Sequence, residues 1–198
     1  LFLGTAESRA MWIRFWSLCA RLFNDSFMKQ IRDWCDAHGW MLTGHHVLEE
    51  TCQGQISSNG SVMTQYQHYH IPGMDHLCRT EPSPVAMTQL ISVAAQCGQK
   101  QILSESFALC GWNFNFYGMC WMFQQQLAHG VNLCCQHLES YSLRGLRKRD
   151  YPGSNFLHQP WWSDYKRVND YFARVGMVLA EGSQPVRVLV IHPLSSAW

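Results

Sequence analysis

Segments with helical periodicity alternate along this chain with short apolar runs, and a glycine follows three of the helices. Gly39, Gly98 and Gly130 each end a predicted helix. Helices are predicted over 17–38, 83–97, 115–129 and 161–181, and short strands over 40–44, 74–77, 101–104 and 131–134. Such alternation predicts a mainly parallel sheet covered by helices, which is an α/β fold.

The connections between these elements suggest how the chain is divided. The segment 51–69 is rich in polar residues and predicts a long loop, as does 139–160. Gly182 and Pro185 separate the last helix from a further predicted strand at 186–191. We therefore expect residues 1–182 to form one partial domain, and 183–198 to be a linker with the first strand of a following domain.

Composition excludes several classes of protein. The chain of 198 residues is 47% hydrophobic and 15% charged, with a formal net charge of +1, which is typical of a globular domain. No overall field favours nucleic acid or acidic partners, and no apolar run reaches the roughly 20 residues of a membrane span. The nine cysteines show no CxxC or Cys/His metal spacing, so we expect reduced, mostly buried thiols, which favours a cytoplasmic protein.

The acidic residue Glu105 directly follows the apolar run 101–104 and precedes Gly111 and Trp112. In barrel enzymes, active-site side chains lie at the carboxyl ends of the strands, where this carboxylate would be placed. Polar or aromatic residues follow several predicted strands, which favours a barrel over a doubly wound sheet with one crevice. A solvated side chain at the start of a loop is the alternative for Glu105.

Glycoside hydrolysis requires two carboxyl groups, one protonated and one ionised. The acidic residues near strand ends are Glu49, Glu50, Asp75, Glu105 and Glu139. Glu49 and Glu50 are equally consistent with a charge pair at a helix start, and Asp75 with a turn cap after Pro72-Gly73. The two adjacent glutamates are also candidate ligands for calcium, which prefers oxygen atoms. The ten histidines complete no recognisable zinc pattern.

A basic cluster lies in the predicted loop 139–160, close to several aromatic residues. It consists of Arg144, Arg147, Lys148 and Arg149. Nucleic-acid binding would combine such cations with stacking aromatics, but the chain is almost neutral and the cluster short. Binding of substrate hydroxyls or of a carboxylate by arginine fits better, and a solvated loop is the alternative. For Trp161 and Trp162, packing at a helix start is the alternative to sugar binding.

Several blocks of this sequence together resemble the alpha-L-rhamnosidase-like enzymes of glycoside hydrolase family 106, which are bacterial glycosyl hydrolases. The early blocks are Phe27-Met28-Lys29-Gln30, Asp33-Trp34-Cys35, Leu42-Thr43-Gly44-His45 with Glu49-Glu50, and His70-Ile71-Pro72-Gly73-Met74-Asp75. The later blocks are Leu103-Ser104-Glu105-Ser106-Phe107, Gly111-Trp112, Gly130-Val131-Asn132, Tyr141-Ser142-Leu143-Arg144-Gly145, Arg147 through Pro152, Gln159-Pro160-Trp161-Trp162, and His192 through Trp198. The resemblance covers nearly the whole chain.

The resemblance implies the later half of a (β/α)8 TIM-type barrel, with the four short strands as its fifth to eighth. Glu105 would be the catalytic base or nucleophile, in an enzyme that cleaves O-glycosidic bonds of plant or microbial glycans without an obligatory cofactor. The pocket that holds the sugar would be lined by His45, Asp75, Trp112, His137, Tyr141, Arg144 and Trp161. The open edges of half a barrel would also favour self-association.

The sequence departs from the family pattern at three places, one of which is Ser106-Phe107-Ala108-Leu109-Cys110 in place of a smaller Gly/Ala/Ser-rich stretch. The partner acid of such enzymes follows the fourth strand in a Thr-Asp-Glu-Pro-like block, which this sequence does not contain. Cys135-Gln136-His137 stands where relatives tend to have Asn-Pro-His. Two alternatives therefore remain open: a retaining beta-glycosidase of the beta-galactosidase or cellulase type, and a carbohydrate-binding remnant without catalysis.

Overall fold

A computed structural model describes residues 4–149, 151, 153–192 and 194–197, and its centre is a parallel sheet of four strands in the order β1-β2-β3-β4. The strands are β1 Thr43–Gly44, β2 Ile71–His76, β3 Leu103–Ser106 and β4 Leu133–Gln136. Each successive pair is connected through at least one helix. The predicted mixed α/β fold with a parallel sheet is thus confirmed, whereas closure of such a sheet into a barrel remains a prediction.

Eight α-helices surround the sheet in the described part of the chain. They are α1 Ala6–Phe23, α2 Lys29–Ala37, α3 Cys52–Asn59, α4 Val62–Tyr66, α5 Pro84–Cys97, α6 Phe116–His129, α7 Tyr165–Glu181 and α8 Leu194–Ala197. A π-helical turn, Asn24–Met28, joins α1 to α2, and 3-10 turns occupy Gly145–Arg149 and Trp162–Asp164. The helices predicted at 83–97 and 115–129 are confirmed, but the helix predicted from residue 17 begins at Ala6.

The hydrophobic core lies between one face of the sheet and helices α5, α6 and α7. Met74 of β2, Leu90 of α5, Phe123 of α6 and Phe172 of α7 are all buried in it. Burial of each such side chain stabilises the fold by about 1.5–3 kcal/mol. The face of the sheet that carries Met74 is therefore packed against these helices.

The strand register fixes which residues face away from those helices. Asp75 is the register partner of Glu105, and Glu105 is the partner of Cys135. Because side chains alternate along a strand, these three residues share the face opposite Met74. The strand predicted at 101–104 is shifted toward the C-terminus, because β3 spans Leu103–Ser106. Glu105 is therefore a strand residue and not the first residue of a loop.

The prediction of a loop at 51–69 is wrong, because α3 and α4 lie there. Thr51 caps α3 by accepting a hydrogen bond from the Gly54 amide at 3.1 Å. The polar side chains that suggested a loop, Gln55, Asn59 and Gln65, are buried and hydrogen-bonded to protein atoms. Buried polar groups with partners are compatible with a helix in the interior, so composition alone was misleading here.

The strand predicted at 186–191 is also wrong. Residues 182–192 form no regular secondary structure, and they pair with none of the four described strands. The large apolar residues of this segment are between 73% and 89% exposed. A strand requires hydrogen bonds to a neighbour, so β-prone composition without a partner does not produce one. The domain boundary near residue 182 remains a prediction.

No helix in the described residues has the length and apolar content needed to cross a bilayer.

Candidate functional site

Three ionisable side chains meet on the face of the sheet that the helices leave uncovered. His45 directly follows β1, Asp75 lies in β2 and Glu105 lies in β3. The His45 Nε2 atom and the Glu105 Oε2 atom form a hydrogen bond of 2.6 Å. One nitrogen or oxygen from each of the three side chains lies within 4.8 Å of the others. Parallel pairing brings these residues together at the carboxyl ends of adjacent strands.

Burial and the neighbouring charges shift the pKa values of His45 and Asp75. Burial lowers the pKa of His45, but the negative charge of Asp75 and the hydrogen bond to Glu105 outweigh it, so the pKa lies above its usual 6.5. Burial raises the pKa of Asp75, and the charge of Glu105 adds to that rise. The site therefore holds protons on His45 and Asp75 at a higher pH than free side chains would. Two carboxyl groups in different environments are the arrangement that general acid–base chemistry uses.

Two atoms of the cluster are free to bind a ligand. The His45 Nδ1 and Asp75 Oδ1 atoms are buried and have no hydrogen-bond partner among the described protein groups. Buried polar atoms nearly always have a partner, and the hydroxyl groups of a ligand are of the right kind to supply one for each of these atoms. The three side chains also have the ligand types and spacing of a cation site.

Glu49, one of the two candidate calcium ligands, connects the loop after β1 to strand β2. Its Oε1 atom accepts a hydrogen bond of 2.5 Å from the Asp75 amide, and its Oε2 atom accepts one of 2.5 Å from the Tyr66 hydroxyl. Burial raises its pKa to about 7. The neighbouring side chain of Glu50 is exposed. Because protein donors already occupy both Glu49 oxygens, this carboxyl group positions Asp75, and calcium at Glu49 and Glu50 remains only a prediction.

Helix α3 holds the loop that carries His45 and Glu49. The Gln55 amide donates to the Glu49 carbonyl at 2.6 Å, and the Asn59 amide donates to the Val47 carbonyl at 2.6 Å. Gly54 approaches the loop so closely that a Cβ atom there would lie 2.5 Å from the Leu48 carbonyl oxygen. These residues were not predicted from the sequence, although Gln55 and Asn59 have the i,i+4 spacing of one helical face.

Of the other residues predicted to bind substrate, two make hydrogen bonds near the ends of the strands, and two are exposed in the loop after β4. His137 is the first residue after β4, and its amide donates to the Ser106 carbonyl at 2.7 Å. A positive charge on His137 acts to lower the pKa of Asp75, against the effect of burial. Trp112 lies in the loop after β3, and its indole donates to the Lys148 carbonyl at 3.2 Å. Tyr141 and Arg144 are exposed in the loop after β4.

Trp161 belongs to a cluster of packed aromatic side chains. Its ring lies 5.1 Å from that of Phe116 and 5.2 Å from that of Tyr165, measured between centroids. Its indole donates to the Phe114 carbonyl at 3.2 Å. These contacts fit the alternative proposed from the sequence, in which this tryptophan packs at the start of a helix.

The loops that follow the strands contain backbone strain. The non-glycine residues with positive φ in the described part of the chain are Leu48, Cys78, Phe107, Leu109 and Tyr151. Each lies in a loop after one of the four strands, and such conformations cost about 1–3 kcal/mol apiece. Strain of this kind is concentrated at functional sites, and here it surrounds the end of the sheet that carries His45, Asp75 and Glu105.

Comparison with solved structures shows a likeness in fold. Neither a protein-family model nor a curated protein matches this chain. The solved structure of a rhamnosidase from Novosphingobium sp. PP1Y superposes on 82% of the chain with a TM-score of 0.68 and 18% sequence identity. The superposed part is 16% of that rhamnosidase chain. At this identity the likeness concerns the fold, and the chain corresponds to only a small part of the larger protein.

Proposed function

We propose that this chain is part of the catalytic barrel of a glycoside hydrolase with alpha-L-rhamnosidase-like activity. Glu105 would act on the anomeric carbon, either directly as nucleophile or through a water molecule as base. The observation that carries the proposal is the convergence of His45, Asp75 and Glu105 at the carboxyl ends of adjacent parallel strands. The fold likeness to a rhamnosidase supports it.

His45 would position and polarise Glu105 through their hydrogen bond of 2.6 Å. Asp75, whose pKa is raised by burial, would be the protonated member of the pair in a retaining mechanism and a ligand for a sugar hydroxyl in an inverting one. The glutamate that attacks and the group that donates a proton to the leaving oxygen then have different environments, as glycoside hydrolysis requires.

The short distance between the two carboxyl groups supports a second candidate, a retaining beta-glycosidase. One ligand oxygen of Asp75 and one of Glu105 lie within 4.8 Å of each other. Retaining pairs are about 5–5.5 Å apart, whereas inverting pairs are about 6.5–9.5 Å apart to admit water. An inverting enzyme would need its acid from a different part of the protein, as the rhamnosidase resemblance implies.

The test is the hydrolysis of a panel of 4-nitrophenyl glycosides that includes the α-L-rhamnoside, the β-galactoside and the β-glucoside. We expect Glu105→Gln to lower kcat by about 10²–10⁴-fold or more, because an amide can neither take a proton nor form the glycosyl ester. Glu81→Gln, a change of the same kind at an exposed position, is the control. Full turnover by Glu105→Gln would exclude the assigned role.

The same panel separates the alternatives. The substrate that is cleaved distinguishes a rhamnosidase from a beta-glycosidase, and the anomer released first, followed by NMR, distinguishes retention from inversion. Saturable binding of a monosaccharide with no turnover on any member would instead favour a carbohydrate-binding remnant.

A further inference from the structure

We propose that the loop after β4 binds negatively charged groups, so that the site takes an acidic glycan bearing carboxylate or sulfate groups beside the scissile bond. The inference deepens the proposed function and rests on it for the identification of the ligand as a sugar. It is carried by the composition of the loop, by the way the loop is anchored, and by the contacts that Trp112 and His137 make between the loop and the region of β3.

The loop concentrates positive charge on an otherwise balanced chain. Four of the fifteen Lys and Arg residues lie within positions 144–149, while the formal net charge of the whole chain is +1. These four residues are exposed. The ion pairs found among the described residues involve none of them. Asp150, which follows in the sequence, lies outside the described residues. The loop thus presents cations that the described acidic groups do not neutralise.

The loop is held in place through its backbone. The Trp112 indole donates to the Lys148 carbonyl at 3.2 Å, and the Arg147 guanidinium donates to the Arg144 carbonyl at 3.1 Å. At the base of the loop, the Ser140 amide donates to the Ser154 hydroxyl at 3.1 Å. These contacts engage the carbonyl groups of Arg144 and Lys148 and the guanidinium of Arg147, and they leave the charged ends of Arg144 and Lys148 available for a ligand.

The anchoring residues connect the loop to the catalytic cluster. Trp112 belongs to the loop after β3, the strand that carries Glu105. His137 begins the basic loop, lies beside the end of β3, and stacks on Tyr151 with ring centroids 5.2 Å apart. A sugar whose anomeric carbon is at Glu105 would therefore extend its neighbouring units toward the basic loop.

The chemistry of the loop favours a carboxylate or a sulfate over the backbone of a nucleic acid. The planar guanidinium of Arg144 can bind either of these groups through two parallel hydrogen bonds. Nucleic acids require a basic track along several nucleotides with stacked bases, whereas this patch spans one short loop.

Binding measurements test the inference independently of catalysis. The ligands are hexagalacturonate and its carboxyl-reduced neutral counterpart, measured by calorimetry with the whole chain. We expect the acidic oligomer to bind at least about tenfold more tightly in about 0.05 M salt, and the preference to shrink in about 0.5 M salt because counterions screen exposed charges. In the double variant Arg144→Gln/Lys148→Gln the preference should disappear. The control Arg9→Gln/Arg14→Gln removes the same charge from α1 and should retain it.

Equal affinity for the two oligomers, or an undiminished preference in Arg144→Gln/Lys148→Gln, would overturn the inference. Tighter binding of a single-stranded oligonucleotide of matched charge would also overturn it, in favour of nucleic acid. Calorimetry measures binding without turnover, so it tests only the preference for an acidic ligand. The hydrolase assignment is tested separately, by the effect of Glu105→Gln on hydrolysis.

Discussion

At the scale of single residues, the burial of Glu49 was not expected from the sequence. Its carboxyl group is fully buried and accepts hydrogen bonds from the Asp75 amide and the Tyr66 hydroxyl. Burial raises its pKa from 4.5 to about 7. The folded protein therefore binds a proton that the unfolded chain releases between these two values. Stability from this proton is complete below pH 4.5 and is lost as the pH rises toward 7.

The variant Glu49→Gln should remove this pH dependence, because an amide does not titrate. Between about pH 5 and pH 8, the free energy of unfolding should fall by up to roughly 3 kcal/mol more in the wild type than in the variant. Urea unfolding at several pH values measures the difference. Glu50→Gln, at the exposed neighbour, should follow the wild-type curve. Parallel curves for wild type and Glu49→Gln would contradict a raised pKa for Glu49.

The charge of Asp75 favours the protonated form of His45. It is the largest of the interactions that raise the pKa of His45, and it acts against burial, which lowers that pKa. The variant Asp75→Asn should therefore lower the pKa of His45, measured by NMR titration of the ring nitrogens. Glu81→Gln, at an exposed glutamate, serves as control. An unchanged His45 titration in Asp75→Asn would mean that the two side chains are not neighbours.

At the scale of elements, Gly176 sets how closely α7 approaches the sheet. A Cβ atom at this position would lie 2.1 Å from the Asn132 carbonyl oxygen, which belongs to the backbone just before β4. Alanine normally stabilises an exposed helix by up to about 1 kcal/mol relative to glycine. At position 176 the clash with the Asn132 carbonyl oxygen should instead make alanine less stable than glycine.

We therefore expect Gly176→Ala to lower the free energy of unfolding by about 1–3 kcal/mol, the usual cost of overpacking. Urea unfolding at neutral pH measures it, with Arg174→Ala on the exposed side of the same helix as control. A more stable Gly176→Ala variant would show that α7 can move away from β4 at no cost.

Helices with strong local signals could be predicted from the sequence. Ser83 and Pro84 start α5 and Gly98 ends it, while Asn115 caps α6 and Gly130 ends it. These signals act over a few residues and do not depend on tertiary contacts. Helices α3 and α4 were missed because their polar side chains form hydrogen bonds within the interior, which composition does not reveal.

The candidate site was predictable only in part, for a similar reason. Glu105, His45 and Asp75 were each proposed from their positions near predicted strand ends. Their convergence depends on the pairing of Asp75 with Glu105 across β2 and β3, and a short strand has no sequence signal for its register. The role of Tyr66 in holding Glu49 was missed because it comes from a helix that was predicted as a loop.

At the scale of the whole molecule, the segment 182–192 leaves a large apolar surface exposed. Val186, Val188, Leu189, Val190 and Ile191 are each at least 73% exposed, and they pair with no described strand. The sheet has edges at β1 and β4. An exposed β-prone segment and an open sheet edge can satisfy each other by strand addition between molecules.

We therefore predict that the isolated chain self-associates and that this segment contributes to the contact. Light scattering after size-exclusion chromatography should give a mass above that of one chain, increasing with concentration. The double variant Val188→Lys/Val190→Lys should shift the population toward the monomer, because charge disfavours burial at a strand interface. Met177→Lys, which adds charge at an exposed position on α7, should leave the wild-type distribution unchanged. A monomeric wild type at every concentration would contradict the prediction, and equal association of Val188→Lys/Val190→Lys would place the contact elsewhere on the molecule.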